Sequence, residues 1–335
     1  MYRSLSLYLG LAFVGSTAYA AGFQAKTMRD PFANREVDRG LVLGKGWAQI
    51  DLGSSFKPAV GYWNDDGEPV DFQNANWLYT TQHLSARYGI THRGEMYWTF
   101  KTHYASLTNE LLGTDVRQFG IGDPEFGYKL EVFRTLSPMT SVIVYGNYKA
   151  PLGNENPGNT TGGANSFTSI IMTTGTPDIT FGAAAKRSFG PAAIHVDAGY
   201  VYRASGLTKY VVETAVGQFN ARIKPGNMVK LDADVSVQIA MASFSGGVNF
   251  VQRSATKAGS SSGGISAARN LKEIAGSDGW ALDADAGLSV NVTRGIDLIG
   301  GVSIPLQGHD FAFFPIEDIH PTRGNTYSGA FAFRY

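Results

Sequence analysis

A transmembrane antiparallel up-and-down β-barrel of about twelve strands, an all-β fold class, is what three features of this 335-residue sequence predict together. Apolar and polar residues alternate with period two over segments of about ten residues or more, longer than the five or six usual in a globular sheet. Short turns and long polar connections follow one another in alternation. The chain also stops in mid-strand, at "TYSGAFAFRY" (326–335), where a soluble domain would end on frayed polar residues.

The elements follow in chain order. Residues 1–20 read as a secretory signal: Arg3 precedes an apolar stretch from Leu5 to Val14, and Ala18-Tyr19-Ala20 before Ala21 fits a small-residue cleavage site. Ser6, Gly10, Gly15, Ser16 and Thr17 interrupt that stretch too often for an anchor of roughly 20 apolar residues. Residues 21–45 hold mixed charge, among them Lys26, Arg29, Asp30, Arg35, Glu36, Asp38 and Arg39. Two readings stay open for them, a periplasmic tail or a segment that plugs the lumen. The barrel is expected over 46–335.

Within it, one face of each strand is apolar and the other polar, and the polar face is expected to line the lumen. Glu95, Lys101 and His103 oppose Met96, Trp98 and Phe100, and Glu125, Lys129 and Glu131 oppose Phe126, Tyr128, Leu130 and Val132. Lys149, Asp178 and Lys186 extend the set. His195, Asp197 and Arg203 oppose Ile194, Val196, Ala198, Tyr200 and Tyr202, and Lys230, Asp232 and Asp234 oppose Val229, Leu231, Ala233 and Val235. Asp283, Asp285 and Arg334 complete it. A helix would gather neither set on one side. These lumen-lining residues are candidates for permeant selectivity, or else acids and bases that pair across strands and fill a narrow barrel.

Short turns are expected at 91–94, 134–138, 188–191, 224–227 and 293–295, each placing Gly or Pro between alternating segments. Long polar stretches run at 64–76, 107–123, 151–175, 252–278 and 307–325; the third contains Ile170-Ile171-Met172, a run expected to fold inward over the mouth. Two strands around each short turn, a first strand near 46–58 and the terminal strand give about twelve, with the short ends periplasmic. In the last strand Tyr327, Phe331, Phe333 and Tyr335 share one face, and Ser328, Ala330, Ala332 and Arg334 the other. In lipid every backbone N–H and C=O must be paired, so this strand is expected to zip to the first.

Other chemistries are excluded or weak. Lys+Arg and Asp+Glu balance at 28 each, which gives nucleic acid nothing to hold. With no cysteine there is no disulfide, thiolate metal site or thiol nucleophile. Six histidines, at 83, 92, 103, 195, 309 and 320, lack metal-ligand spacing, the acidic stretches 64–69 and 153–159 lack an EF-hand register, and "GSSSGG" (259–264) has no phosphate-binding lysine after it. No cofactor or metal is expected. His83-Leu84-Ser85 resembles the His-x-Ser of the outer-membrane phospholipase, a barrel enzyme. The following strand, however, offers Glu95, Tyr97 and Thr99 where that family has an orienting Asn. His195 and Asp197 sit deep in a strand and read as a lumen hydrogen-bonding pair. No catalytic residue is expected.

"GIGDPEFGYKLEV" (120–132), "PDITFGAAAKRSFGPAAIHVDAGYVYR" (177–203) and "RGIDLIGGVSIPLQG" (294–308) with its terminal aromatic strand resemble the bacterial outer-membrane proteins named for the meta-pathway of phenol degradation. The resemblance covers most of 46–335 and implies a barrel that lets small, often aromatic or hydrophobic molecules cross the outer membrane. Phe331, Phe333 and Tyr335 likewise resemble the terminal signal read by the outer-membrane assembly machinery. The functional expectation is a passive outer-membrane channel for small molecules. A structural or docking barrel without transport is the alternative, and a lipase-like enzyme the third.

Overall fold

The computed structural model describes residues 39–335 except 65, 73–74, 110–113, 137–138, 154–172, 174, 209–220, 261–270, 274–276, 294 and 310–322. The signal at 1–20, most of 21–45 and the run 170–172 therefore lie outside the described residues.

Twelve strands make the wall: β1 (Ala48–Ala59), β2 (Ala75–Gly89), β3 (Gly94–Asn109), β4 (Glu125–Leu136), β5 (Met139–Lys149), β6 (Asp178–Phe189), β7 (Ala192–Arg203), β8 (Met228–Ile239), β9 (Ala242–Arg253), β10 (Gly279–Thr293), β11 (Ile296–His309) and β12 (Thr326–Arg334). Each pairs antiparallel with its chain neighbours, and β1 pairs with both β2 and β12, which closes the sheet. At the seam the Ala48 amide donates to the Tyr335 carbonyl at 2.8 Å, and the Tyr335 amide donates back at 3.1 Å. Closure leaves the wall no open edge, which is the condition for a sheet to cross a bilayer.

The period-two pattern decides which face meets what. Met96, Trp98, Phe100, Phe126, Tyr128 and Leu130 point outward and stay exposed, whereas Glu95, Thr99, Lys129 and Glu131 on the same strands are buried. That inversion of an ordinary soluble protein recurs around the ring, with Leu231, Val235 and Val237 outside and Ser236 and Gln238 inside. A continuous apolar belt of this kind requires lipid around it, and a strand-built belt belongs to the bacterial outer membrane.

Three register shifts interrupt the ladder; one, between Asn291 and Thr293, lies at the end of β10, and the other two adjust the pattern of faces. Between Leu282 and Asp283 the register with β11 shifts, so that Gln307 and Pro305 face consecutive residues of β10 and Leu306 becomes the extra residue. Pro305 has no N–H to give the ladder, and a bulge beside it accommodates that loss. A second shift between Glu131 and Phe133 leaves Val132 and Phe133 both exposed and swings Arg134 inward, where its Nε lies 2.6 Å from Glu131 Oε2.

One turn differs from the sequence reading. Residues 224–227 are not a periplasmic hairpin: they join the short strand Ala221–Lys224 to β8 at the extracellular end, and the tight turn lies at Ala240–Met241 between β8 and β9. Ala240 adopts φ 52°, a left-handed conformation normally left to glycine, so nothing in the composition marks the turn. The strand total stands because one misplaced turn replaced another. The long connections also hold structure. Gly61–Trp63 pairs with Pro69–Asp71, Thr114–Ile121 pairs with the upper part of β3, and Gly206–Thr208, Ala221–Lys224, Lys257–Ser260 and Lys272–Glu273 form a separate four-stranded sheet.

Candidate functional site

The inner wall sorts into three levels. Near the periplasmic end, charged groups are fully buried and tied to the chain just before β1. Glu95 on β3 accepts from Arg87 on β2 through both oxygens, at 2.7 and 2.8 Å, and from the Leu43 amide at 2.7 Å. Arg39 donates to Asp297 on β11 at 2.7 Å; Arg334 on β12 meets the same carboxylate and donates to Gln49 on β1 at 2.9 Å. Ser141 on β5 donates to Glu131 at 2.5 Å and receives the Leu41 amide at 3.4 Å. Leu41 and Val42 pack with Ile143, Ala184 and Tyr145. Residues 39–43 thus touch inward-facing groups of β2, β3, β5, β6 and β11, which puts them inside the ring.

At the extracellular end a second buried layer spans β4 to β7. Lys149 lies 2.8 Å from Asp178 and 3.6 Å from Asp123, and Arg203 approaches Asp178 at 3.7 Å. Asp123 also accepts from the Gly153 amide at 2.8 Å, in the break where Gly122-Asp123-Pro124 separates Thr114–Ile121 from β4.

Between these layers the lumen carboxylates are only partly buried, although Lys186 and His195 beside them are buried. Lys101 pairs with Glu125, which also accepts from Asn147 at 2.8 Å. Tyr145 donates to Asp197 at 2.7 Å, and His195 Nδ1 lies 2.9 Å from Asp234 Oδ2. Asp283 and Asp285 on β10 continue this wall, joined through the register to β8 by Asn249 and Gly247 of β9. Five carboxylates, Asp197, Asp232, Asp234, Asp283 and Asp285, therefore line one sector, β7 to β10. Lys57, Lys129 and Lys230 interact electrostatically with Asp283 and Asp197. Lys186 stands opposite His195 in the β6–β7 register.

Seventeen of the eighteen lumen candidates have a place in this scheme: Glu95, Lys129, Glu131 and Arg334 in the lower layer, Lys149, Asp178 and Arg203 in the upper, and Lys101, Glu125, Lys186, His195, Asp197, Lys230, Asp232, Asp234, Asp283 and Asp285 between. His103 on β3 is buried and its Nδ1 meets Thr81 Oγ1 at 3.0 Å. The sequence reading missed Arg87 and Asp297, both wholly buried and charged on strands whose alternation would have marked them. It also missed an aromatic series. Trp77 and Tyr79 share the inner face of β2 with His83 and Arg87, and ring centroids run Tyr62–Phe72 6.0 Å, Phe72–Trp77 6.1 Å and Trp77–Tyr79 5.6 Å. The rings step from the outer hairpin down into the mouth. In the His-x-Ser pair, Ser85 is bonded to Thr99 Oγ1 at 2.9 Å, and no hydrogen bond reaches His83 Nδ1.

No protein-family model matches the chain, and no curated protein matches it in sequence. Its fold is similar to that of the COG4313 outer membrane channel from Pseudomonas putida F1, with a TM-score of 0.64 and 11% identity over 88% of this chain and 97% of that one. Looser similarity extends to the KdgM porin (TM-score 0.41, 6% identity, 85% of this chain and 98% of that one) and to the transport unit of the autotransporter AIDA-I from Escherichia coli (TM-score 0.45, 9% identity, 87% and 90%). The family named for phenol degradation rests on the quoted residues alone; what the comparisons establish is the fold, a closed outer-membrane β-barrel.

Proposed function

We propose that the protein is an outer-membrane channel for small molecules, entered from outside past the aromatic series and narrowed at the periplasmic end by its own amino-terminal segment. The observation that carries this reading is the distribution of burial along the inner wall. Charges at the two ends are buried in ion pairs, whereas the five carboxylates of the acidic middle sector are only partly buried and keep some access to solvent, as a permeant path needs and a filled structural barrel does not. The rings of Tyr62, Phe72, Trp77 and Tyr79 offer stacking surfaces for planar or apolar molecules. Residues 39–43 stand where a plug would, and Phe331, Phe333 and Tyr335 are the segment that the assembly machinery would read.

The test is reconstitution of the mature protein in planar bilayers and liposomes, with ion conductance and uptake of small aromatics and sugars as readouts. Conductance above the lipid baseline, together with aromatic uptake that falls in Trp77→Ala, is expected. A correctly folded barrel that passes neither ions nor solutes, even without residues 22–44, would instead be a structural or docking protein.

A further inference from the structure

We propose that His195, Asp232 and Asp234 form a binding site in the middle of the lumen for a divalent cation of the zinc class. The donors come from two neighbouring strands. His195 on β7 stands directly opposite Asp234 on β8, and Asp232 lies two residues further along the same inner face. One ligand atom from each residue falls within 4.8 Å of the other two. Nδ1 of His195 is 2.9 Å from Asp234 Oδ2 and 3.9 Å from Asp232 Oδ1.

A second observation points to a ligand. Asp232 Oδ1 is shut off from solvent and accepts no hydrogen bond, an arrangement that is costly for a carboxylate unless something positive sits beside it. The charges acting most strongly on Asp232 are three further carboxylates, Asp234, Asp285 and Asp197. Gly247, which faces Asp234 in the register, lets that residue pack closely against its backbone; a Cβ there would come 2.8 Å from that of Asp234.

The donor chemistry sets the class of ion. One imidazole and two carboxylates suit zinc, with nitrogen and oxygen ligands near ~2.1 Å, whereas magnesium prefers oxygen alone. Donors on paired strands are held more firmly than donors on loops, so small side-chain rotations suffice to draw the three together. The half-buried lumen supplies water for the remaining position. Lys186 opposes the cation from β6, across from His195, and sets a limit on affinity.

The site requires a folded barrel but no conductance, so its test is separate from that of the channel. Tag-free mature protein, folded in detergent and checked by its heat-modifiable gel mobility, is titrated with Zn²⁺ by calorimetry. One ion per barrel is expected, and a hundredfold excess of Mg²⁺ should leave it bound. Affinity should fall at least tenfold in His195→Ala, Asp232→Asn and Asp234→Asn, fall no more than threefold in Asp285→Asn, and rise in Lys186→Gln. Absence of saturable binding, displacement by Mg²⁺, or equal losses in His195→Ala and Asp285→Asn would overturn the site and leave a diffuse acidic wall. Should His195→Ala not fold, His195→Gln and the Mg²⁺ competition on the unaltered protein decide.

Discussion

The Leu43 amide donates a 2.7 Å hydrogen bond to Glu95, a residue 52 positions later that also holds the guanidinium of Arg87 in a two-point pair. One carboxylate thereby joins the amino-terminal segment to two wall strands. In Glu95→Ala, Arg87 is left buried without its counter-charge, a change that typically costs about 3–5 kcal/mol. Urea unfolding in detergent should show that loss, with a smaller one in Glu95→Gln. A Glu95→Ala barrel as stable as the parent would mean that the Arg87–Glu95 pair carries no weight.

Removal of the segment should open the lower lumen. Because Leu41, Val42 and Leu43 lie inside, the deletion has to reach residue 44; one that ends at residue 40 leaves them in place. The barrel lacking 22–44 should remain heat-modifiable and conduct more than the parent in single-channel recordings. Identical conductance would move the constriction to the extracellular layer around Lys149 and Asp178.

Adjacent positions on β8 test the register. Leu231 faces outward and Asp232 inward, so Leu231→Arg should cost roughly 2–4 kcal/mol near the bilayer midplane while Asp232→Arg folds almost normally. Gel mobility before and after heating separates the two. Equal tolerance at both positions would contradict the assignment of faces.

The acidic sector should favour cations. Replacing Asp283 and Asp285 together by Asn removes two of its five carboxylates while the β9–β10–β11 ladder is kept. The reversal potential in a potassium chloride gradient should then move toward the value for no selectivity, and more so at low salt, where screening is weaker. A potential unchanged at all salt concentrations would place the selecting charges elsewhere.

Faces were legible in the sequence wherever burial alone assigns them. Leu231 and Asp232 differ in what they meet, and a period of two records that difference over a whole strand. Positions fixed by partners distant in the chain were not legible. Ala240 turns with no glycine because the paired ends of β8 and β9 impose the bend. Arg39 in a mixed-charge run looks the same whether it meets solvent or Asp297, and only the closed ring brings the two within 2.7 Å. The same holds for His195, whose neighbours Asp232 and Asp234 become near only through strand register.

The reciprocal hydrogen bonds between Ala48 and Tyr335 also impose an order on assembly. The strand made first must stay without one of its neighbours until the twelfth strand has been made, because β1 pairs with β12. Hairpins such as β8–β9 are local and can assemble early, but the seam joins residues nearly the whole chain apart and is the contact of greatest sequence separation, the slowest kind to form. A carboxyl-terminal fusion would put a load on the one pairing that converts an open, sticky-edged sheet into a ring. Growth of the polypeptide and completion of the wall are therefore separate events, and in the interval both unpaired edges need protection from one another's copies on neighbouring chains.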